Sequence, residues 1–370
     1  MSTLKVDNIR HNNATSDAIT MASDGTCTAK LTGMTGGGAL SHRNLIINGQ
    51  FDVWQRATDS GSNTTDGYLS CDRWYHASSG ATKQVTRQTF ALGQTDVPDN
   101  PKYYLRYAVT TGNNNVALRQ RIEDVTRCQG EMTFSFWVKG SNPGGGQFAL
   151  IFRQNFGTGG SSVSNVVDQG IANYTVSNTW TKKTFTFTPT SIAGKTLGTS
   201  QNSSYYEIEI FRQPAGDTST TAYTVDFANV QLERGSVSTS FEQRTYGEEL
   251  RNCERYFQCL KGPSATETGD NEALYGIALA YNNNRTLWSF IFKTEMRDHP
   301  VIAMNTIANL QGLGVVGGWN AATQLLYTNK SSKLGCRVDL NWSGTPFTAG
   351  HAVEMRIVSD GILSFDAELA

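Results

Sequence analysis

Two carboxylates one residue apart, Glu207 and Glu209 in "YYEIEIF", fall on one face of a segment whose alternation reads as a β-strand. Paired carboxylates are the machinery of glycoside hydrolysis, one acting as acid and the other as base or nucleophile. Same-face acids on a strand are more commonly a solvated surface, and that is the expectation here. "AGKT", Ala193–Thr196, has the ending of a phosphate-cradling loop, but the loop's first glycine would have to stand where Pro189 does, so the stretch reads as a turn. There is no GxSxG and no HExxH. The five histidines, His11, His42, His76, His299 and His351, are isolated. With no nucleophile–base or acid–base pair at workable spacing, the chain reads as a binding or structural protein and not an enzyme.

Oxygen ligands and flat rings are the other chemistry on offer. Asp52, Asp226 and Asn229 would meet where the first and last strands of a sandwich come together, and oxygen-only ligands point to a structural calcium. No other cofactor is expected. Trp74 in "CDRWYHASSG", Trp319 in "GGWNAATQ", Trp342 in "NWSGTP" and Tyr281 in "YNNNRTLW" stand beside turn signals. A flat aromatic on a loop covers the apolar face of a sugar ring at little entropic cost. Each of these four is therefore either core or a ligand platform. Trp137 in "FSFWVKG" and Trp288 in "LWSFIF" lie mid-strand among apolar neighbours and read as core.

The elements that must hold these residues follow from composition. Of 370 residues, 17% are charged and 38% hydrophobic, and the gap is filled by Ser, Thr, Asn, Gln and 36 glycines. Aromatics at 10% and a net charge of -1 argue against disorder. The near-zero balance gives no basic face for nucleic acid. No apolar stretch is long enough for a membrane span, so membrane insertion is not expected. The N-terminus has no apolar core, so no secretory signal is visible. Six scattered cysteines, Cys27, Cys71, Cys128, Cys253, Cys259 and Cys336, lack metal spacing and read as reduced thiols of a chain made in the cytoplasm.

The expected architecture is all-β. Residues 1–40 form an extended leader, with strand-like alternation in "LKVDNI" and "AITMASDGTCTAKLTG", and "GMTGGGALS" is a flexible joint. The leader is too short to enclose a core, so it needs a partner. Residues 41–243 read as a jelly-roll sandwich of short strands, opened by "NLIINGQFDVWQR" with a strand, an Asn48-Gly49 turn and a second strand. Residues 244–263 read as a short linking helix. Tyr246, Leu250, Cys253, Phe257 and Leu260 make one apolar stripe, Thr245 and Glu248 a capping box, and Gly262-Pro263 the stop. The stripe packs either on its own domain or in a parallel bundle between chains. Residues 264–370 return to strands as a C-terminal β-sandwich domain.

Several runs resemble a known family. "NLIINGQFDVWQR", "CDRWY", "ALRQRIEDVTRCQGEMTFSFWVKG", "TWTKKTFTF" and "VDFANVQLERGSVSTSFEQRTYGEELRNCERYFQ" resemble the jelly-roll module of bacteriophage tail-fibre, receptor-binding proteins of marine phages. That module is similar to galactose-binding-like carbohydrate-binding modules. "FKTEMRDHPVI" and "DAELA" resemble the C-terminal domain of such fibres, and "STLKVDNIR" their virion-attachment leader. Related modules often carry an acid after the Asn-Gly, where Gln50 stands here. The resemblance implies a homotrimeric virion protein that docks on other phage tail or virion proteins through residues 1–40 and recognises host cell-surface polysaccharide or lipopolysaccharide. The attachment geometry makes residues 264–370 the receptor-binding tip. The alternative is a structural virion protein, a capsid or tail decoration or an adaptor, without host contact.

Overall fold

A computed structural model describes residues 6–10, 12–13, 15, 17–21, 23, 27–29, 42–78, 80–111, 116–141, 147–161, 173–199, 203–212, 221–263, 272–314 and 317–369. In the leader, β1 (Asn8–Ile9), β2 (Ile19–Met21) and β3 (Cys27–Ala29) form a small antiparallel sheet. The glycine-rich joint expected at 33–41 lies outside the described residues.

Alternating sequence then builds the main sandwich. Its strands are β4 (Tyr75–Ala77), β5 (Thr82–Thr89), β6 (Tyr103–Thr111), β7 (Ala117–Glu123), β8 (Met132–Gly140), β9 (Phe148–Asn155), β10 (Asn173–Tyr174), β11 (Thr181–Phe187), β12 (Tyr205–Arg212) and β13 (Tyr223–Arg234). They form two five-stranded antiparallel sheets, ordered β10-β9-β12-β7-β4 and β11-β8-β13-β6-β5. In β8, Met132, Phe134, Phe136 and Val138 are all fully buried, because the period-two pleat sends every second side chain inward. Facing them across the core are Leu118, Ile122, Phe152 and Tyr206 of the other sheet. Phe187 stacks on Phe152 with ring centroids 4.1 Å apart. This is the expected all-β jelly roll.

The opening segment differs from the expected hairpin. Residues 44–58 form no named strand and instead bond to β13, Leu45 N–H donating to the Leu232 carbonyl at 2.8 Å and Val230 N–H to the Gly49 carbonyl at 2.9 Å. Asn48, at φ 58°, organises the turn. Its side-chain amide donates to the carbonyls of Val53 and Asp72 at 2.8 and 3.0 Å, and its Oδ1 accepts from the Val53 N–H at 3.0 Å. The glycine at 49 answers to a close approach: a Cβ there would lie 2.2 Å from the Val230 carbonyl oxygen.

The helix is shorter than its sequence period. α1 spans Tyr246–Glu254, with Thr245 accepting from the Glu248 N–H at 3.3 Å as the capping pattern predicts. Beyond it, β14 (Phe257–Lys261) pairs residue by residue with Ile362–Asp366, so long-range pairing overrides the local helical stripe. Tyr246 is 60% exposed while Cys253 is fully buried within the chain. The stripe is therefore not a single free face.

The C-terminal part corrects the expected second sandwich. β15 (Glu272–Asn282), β16 (Arg285–Ile291), β18 (Leu310–Leu313), β19 (Trp319–Leu325), β20 (Gly335–Trp342) and β21 (Ala352–Val358) close into a barrel, ordered β15-β16-β20-β19-β18-β21. β17 (Val301–Met304) and β22 (Ile362–Asp366) join β14 in a three-stranded sheet whose Leu363, Phe365 and Ile302 share the barrel's core. Closure removes edges that a sandwich would leave open. Small Ala278 and Ala280 leave room inside for Trp288 and Trp342.

The two β parts meet at a seam built from charge. Arg73 ion-pairs with Glu368, and Arg56 reaches Asp366 at 3.0 Å and Glu368 at 3.5 Å. Arg297 donates to the carbonyls of Ala367 and Glu368 at 2.7 and 3.0 Å, and the Tyr68 hydroxyl to that of Leu369 at 3.1 Å. Cys71, Cys128, Cys253 and Cys336 are buried free thiols, and Cys259 is half-buried.

Candidate functional site

The outer face of the β11-β8-β13-β6-β5 sheet carries the site. Opposite pleat parity to Phe136 and Val138 puts Trp137 on this face, between Ser135 and Lys139, and it is half-buried there, not core. Trp137, Trp180 and Phe90 pack on buried Tyr104, Val97 and Ala228 as a satellite cluster outside the main core. Trp180 meets Tyr104 edge-on at 5.4 Å, and the Lys139 ammonium lies 4.9 Å from the Trp180 ring centre.

A β-bulge next to Trp137 aims one side chain into this region. The ladder between β13 and β8 runs Ala228↔Trp137 and then Gln231↔Ser135, leaving Asn229 and Val230 opposite the single Phe136. Asn229 takes φ 47°, which its short polar side chain tolerates. Bulges beside sites re-aim a side chain in this way. Asn229 is 3% exposed. Its amide donates to the Pro98 carbonyl at 3.2 Å, and its Oδ1 has no partner among the described residues.

Asn229 and Trp137 line a concavity of about 310 Å³ with Ser135, Gln231, Lys182, Pro98, Asp99 and the segment Ser238–Phe241. That segment is tied down by Glu233, which accepts from the Thr239 N–H at 2.9 Å and its hydroxyl at 2.6 Å. Gln231 is fully engaged, donating to Thr239 and Ser240 and accepting from the Glu242 N–H at 2.8 Å. Ser238 Oγ is buried without a partner among the described residues. Burial pulls the Lys182 ammonium below the usual lysine range. An aromatic wall, hydroxyls and one unsatisfied amide oxygen make a lining suited to a neutral polyol.

A second, wider concavity of about 660 Å³ adjoins the first through Asp99. It lies between the opening turn, the 99–103 stretch and the start of α1, and includes Asp52, Arg87, Lys102, Tyr103 and Tyr246.

The residues singled out from sequence fare unevenly. Trp74 is fully buried, donating its indole N–H to the Asn48 carbonyl at 3.0 Å, and Trp342 is 3% exposed, bonded to the Thr286 hydroxyl at 3.0 Å. Neither is a platform: each packs against a phenylalanine, Phe51 and Phe347 respectively. Trp319 is half-buried with the Arg356 guanidinium 3.8 Å from its ring centre. Tyr281 is exposed beside Arg285 at 5.2 Å. β15 and β19 are three strands apart either way round the barrel, so Tyr281 and Trp319 stand on opposite walls. Trp288 is core, as read.

The oxygen trio is not gathered. Asp226 is held by Arg106 at 2.8 and 2.9 Å with Lys139 at 3.8 Å, Asn229 lines the smaller concavity and Asp52 the larger. Among the described residues no three His, Cys, Asp or Glu side chains cluster as metal ligands. Glu207 and Glu209 are also not the solvated face expected of them. Both are buried in an arginine lattice, with Arg153 at 2.6 Å from each, Arg121 at 2.8 Å from Glu207 and Arg119 at 2.6 Å from Glu209. These arginines hold Glu207 below its ordinary range against the opposing effect of burial, so it is no proton donor near neutral pH.

The residue the sequence reading missed is Trp137. Its signal was present: it shares parity with Ser135 and Lys139, while Phe134, Phe136 and Val138 take the other.

No protein-family model matches the chain, and no curated protein matches it. Among solved structures, the N-terminal cellulose-binding domain of Cellulomonas fimi beta-1,4-glucanase C is similar at 17% identity, over 38% of this chain and 84% of that one, with a TM-score of 0.26. The CBM22-1–CBM22-2 tandem of Paenibacillus barcinonensis Xyn10C is similar at 12% identity, over 89% and 98%, with a TM-score of 0.28. A family 30 carbohydrate-binding module is similar at 15% identity, over 44% and 88%, with a TM-score of 0.23. Overlaps this loose leave the chemistry of this chain to be argued from its own residues.

Proposed function

We propose that the chain is a subunit of a phage tail fibre, anchored on the virion through residues 1–40, that attaches to host-surface glycan without cleaving it. The Trp137–Asn229 concavity of the jelly roll takes a neutral sugar. The resemblance of the sequence runs supports the fibre role, and homotrimeric assembly is part of the same reading. The single observation that carries the sugar site is Asn229 Oδ1. It is a buried acceptor without a partner among the described residues, in a concavity lined by an indole ring, serines and a threonine. A sugar hydroxyl donates to such an oxygen while the ring's apolar face lies on the indole.

Calorimetric titration of the full chain with neutral oligosaccharides from host envelope polysaccharide tests this. Saturable heat is expected, with no steady release of reducing ends. Light scattering should give three times the 40.4 kDa chain mass. The reading falls if the full chain binds no envelope polysaccharide. If particles lacking the protein also adsorb normally, the structural virion role replaces it.

A further inference from the structure

We propose that the wider concavity between the opening turn and α1 is a second subsite, specific for an acidic sugar that carries a single carboxylate. The proposal rests on the glycan-binding reading but uses different residues from the Trp137–Asn229 site.

The argument begins with side chains whose bonding capacity is unused. Arg87 makes no side-chain hydrogen bond and no ion pair among the described residues; its guanidinium lies 4.4 Å from the Tyr103 ring centre. Lys102 sits over the same ring at 5.0 Å and is likewise without a carboxylate partner among the described residues. Several other arginines of this jelly roll are paired: Arg106 with Asp226, Arg121 and Arg153 with Glu207, and Arg244 in the same concavity with Glu242 and Glu249. Arg87 and Lys102 differ from these arginines, and both lie against the Tyr103 ring in one concavity.

Asp52 completes the set. Its carboxylate accepts no hydrogen bond among the described residues, although it is only partly exposed. Burial, with Glu249 adding to it and Lys102 opposing, raises its pKa to about 6. Arg87, Asp52 and Tyr246 line the same concavity. Gln50, Asn100 and Gln243 add neutral polar groups to the wall, and Gln243 braces the loop by donating to the Asp99 carbonyl at 2.6 Å.

A ligand that satisfies all of these needs an anion for the guanidinium fork and hydroxyls to donate to Asp52. A sugar carboxylate matches the planar, two-donor geometry of arginine, and neighbouring ring hydroxyls match a carboxylate acceptor. Tyr103 and Tyr246 supply flat apolar surface. Asp52 and Asp99 in the same wall repel a second negative charge, so a carboxylate fits better than a doubly charged phosphate monoester.

Ligand-observed NMR on the full chain tests it. The probes are galacturonate, glucuronate, mannuronate and N-acetylneuraminate oligosaccharides, their methyl esters, and glucose 6-phosphate. At least one acidic probe is expected to bind at least tenfold tighter than its own ester and than the phosphate. Arg87→Gln should abolish that preference while leaving neutral-sugar binding at Trp137 intact, and Trp137→Ala should leave it in place. Unfolding midpoints of both variants confirm that they fold. The proposal is overturned if no acidic probe binds, if acid and ester bind alike, or if Arg87→Gln has no effect. It is equally overturned if the phosphate binds best. Neutral sugars binding while acidic ones do not would sink this subsite alone; no sugar binding at all would sink the glycan reading with it.

Discussion

The Arg73 guanidinium lies 3.4 Å from the centre of the Tyr256 ring and ion-pairs with Glu368, 295 positions along the chain. All three side chains are buried. The jelly roll and the barrel are thus joined through a desolvated charge, with Arg56 as the second cation on the Glu368 carboxylate.

Breaking one half of that pair is expected to cost more than removing both. Arg73→Met alone leaves Glu368 buried with only Arg56 and should destabilise by about 3–5 kcal/mol. Adding Glu368→Met should recover part of this, because Arg56 keeps Asp366 at 3.0 Å. Urea unfolding of the single and double variants measures the coupling, and additive costs would contradict it. For the same reason a chain cut after Gly262 loses β22 and Glu368 together and should unfold at the seam. Point substitutions are the cleaner way to separate the two β parts.

Gly49 admits no side chain. A Cβ would lie 2.2 Å from the Val230 oxygen, and the Val230 N–H donates to the Gly49 carbonyl at 2.9 Å. Gly49→Ala must push the opening segment off the β13 bulge, at roughly 1–3 kcal/mol. Because that bulge aims Asn229, neutral-sugar affinity should fall with stability. Calorimetry and unfolding on one preparation check whether the two move together.

His76 sets a pH dependence. It is fully buried against Tyr107, and burial, with Lys83 and Arg56 adding to it, lowers its pKa to about 3. Between its unfolded value near 6.5 and that point the unfolded chain binds a proton the folded chain does not, so stability is lost as pH falls. Asp52 and Asp72, both raised to about 6 chiefly by burial, act oppositely: they make the fold gain stability as pH falls from about 6 towards the unfolded carboxylate value. The three partly cancel in the wild type. The difference between His76→Phe and wild type isolates the histidine, and its cost should shrink between pH 7 and pH 4.5. A pH-independent difference would show that His76 does not titrate with folding.

Local pattern made much of this fold legible. The short strands and polar turns of residues 41–243 marked the jelly roll, and Thr245 with Glu248 marked the start of α1. What was not legible depended on partners far along the chain. Phe257 and Leu260 continue a helical stripe, yet β22, a hundred residues away in sequence, draws them into a sheet. Trp74 and Trp342 stand beside turns, yet carbonyl and hydroxyl partners inside the core satisfy their indoles. Asn229 was noticed for its oxygen, but its orientation comes from a bulge that a single sequence does not display.

Asn229 separates a ligand role from a scaffold role. Its amide donor holds the Pro98 carbonyl, its Oδ1 is buried without a partner among the described residues, and the residue lines the concavity. Asn229→Gly keeps the left-handed backbone and removes both functions; Trp137→Phe keeps a flat ring and trims the platform. If Oδ1 serves a sugar hydroxyl, Asn229→Gly should weaken neutral-sugar binding about tenfold, near 1.4 kcal/mol. Trp137→Phe should cost less and Trp137→Ala more. Asn229→Asp preserves the acceptor and gives up the Pro98 bond, so binding closer to wild type than that of Asn229→Gly assigns the oxygen to the ligand. Equal losses for the Asp and Gly variants would assign Asn229 to the Pro98 loop and leave the sugar site to Trp137.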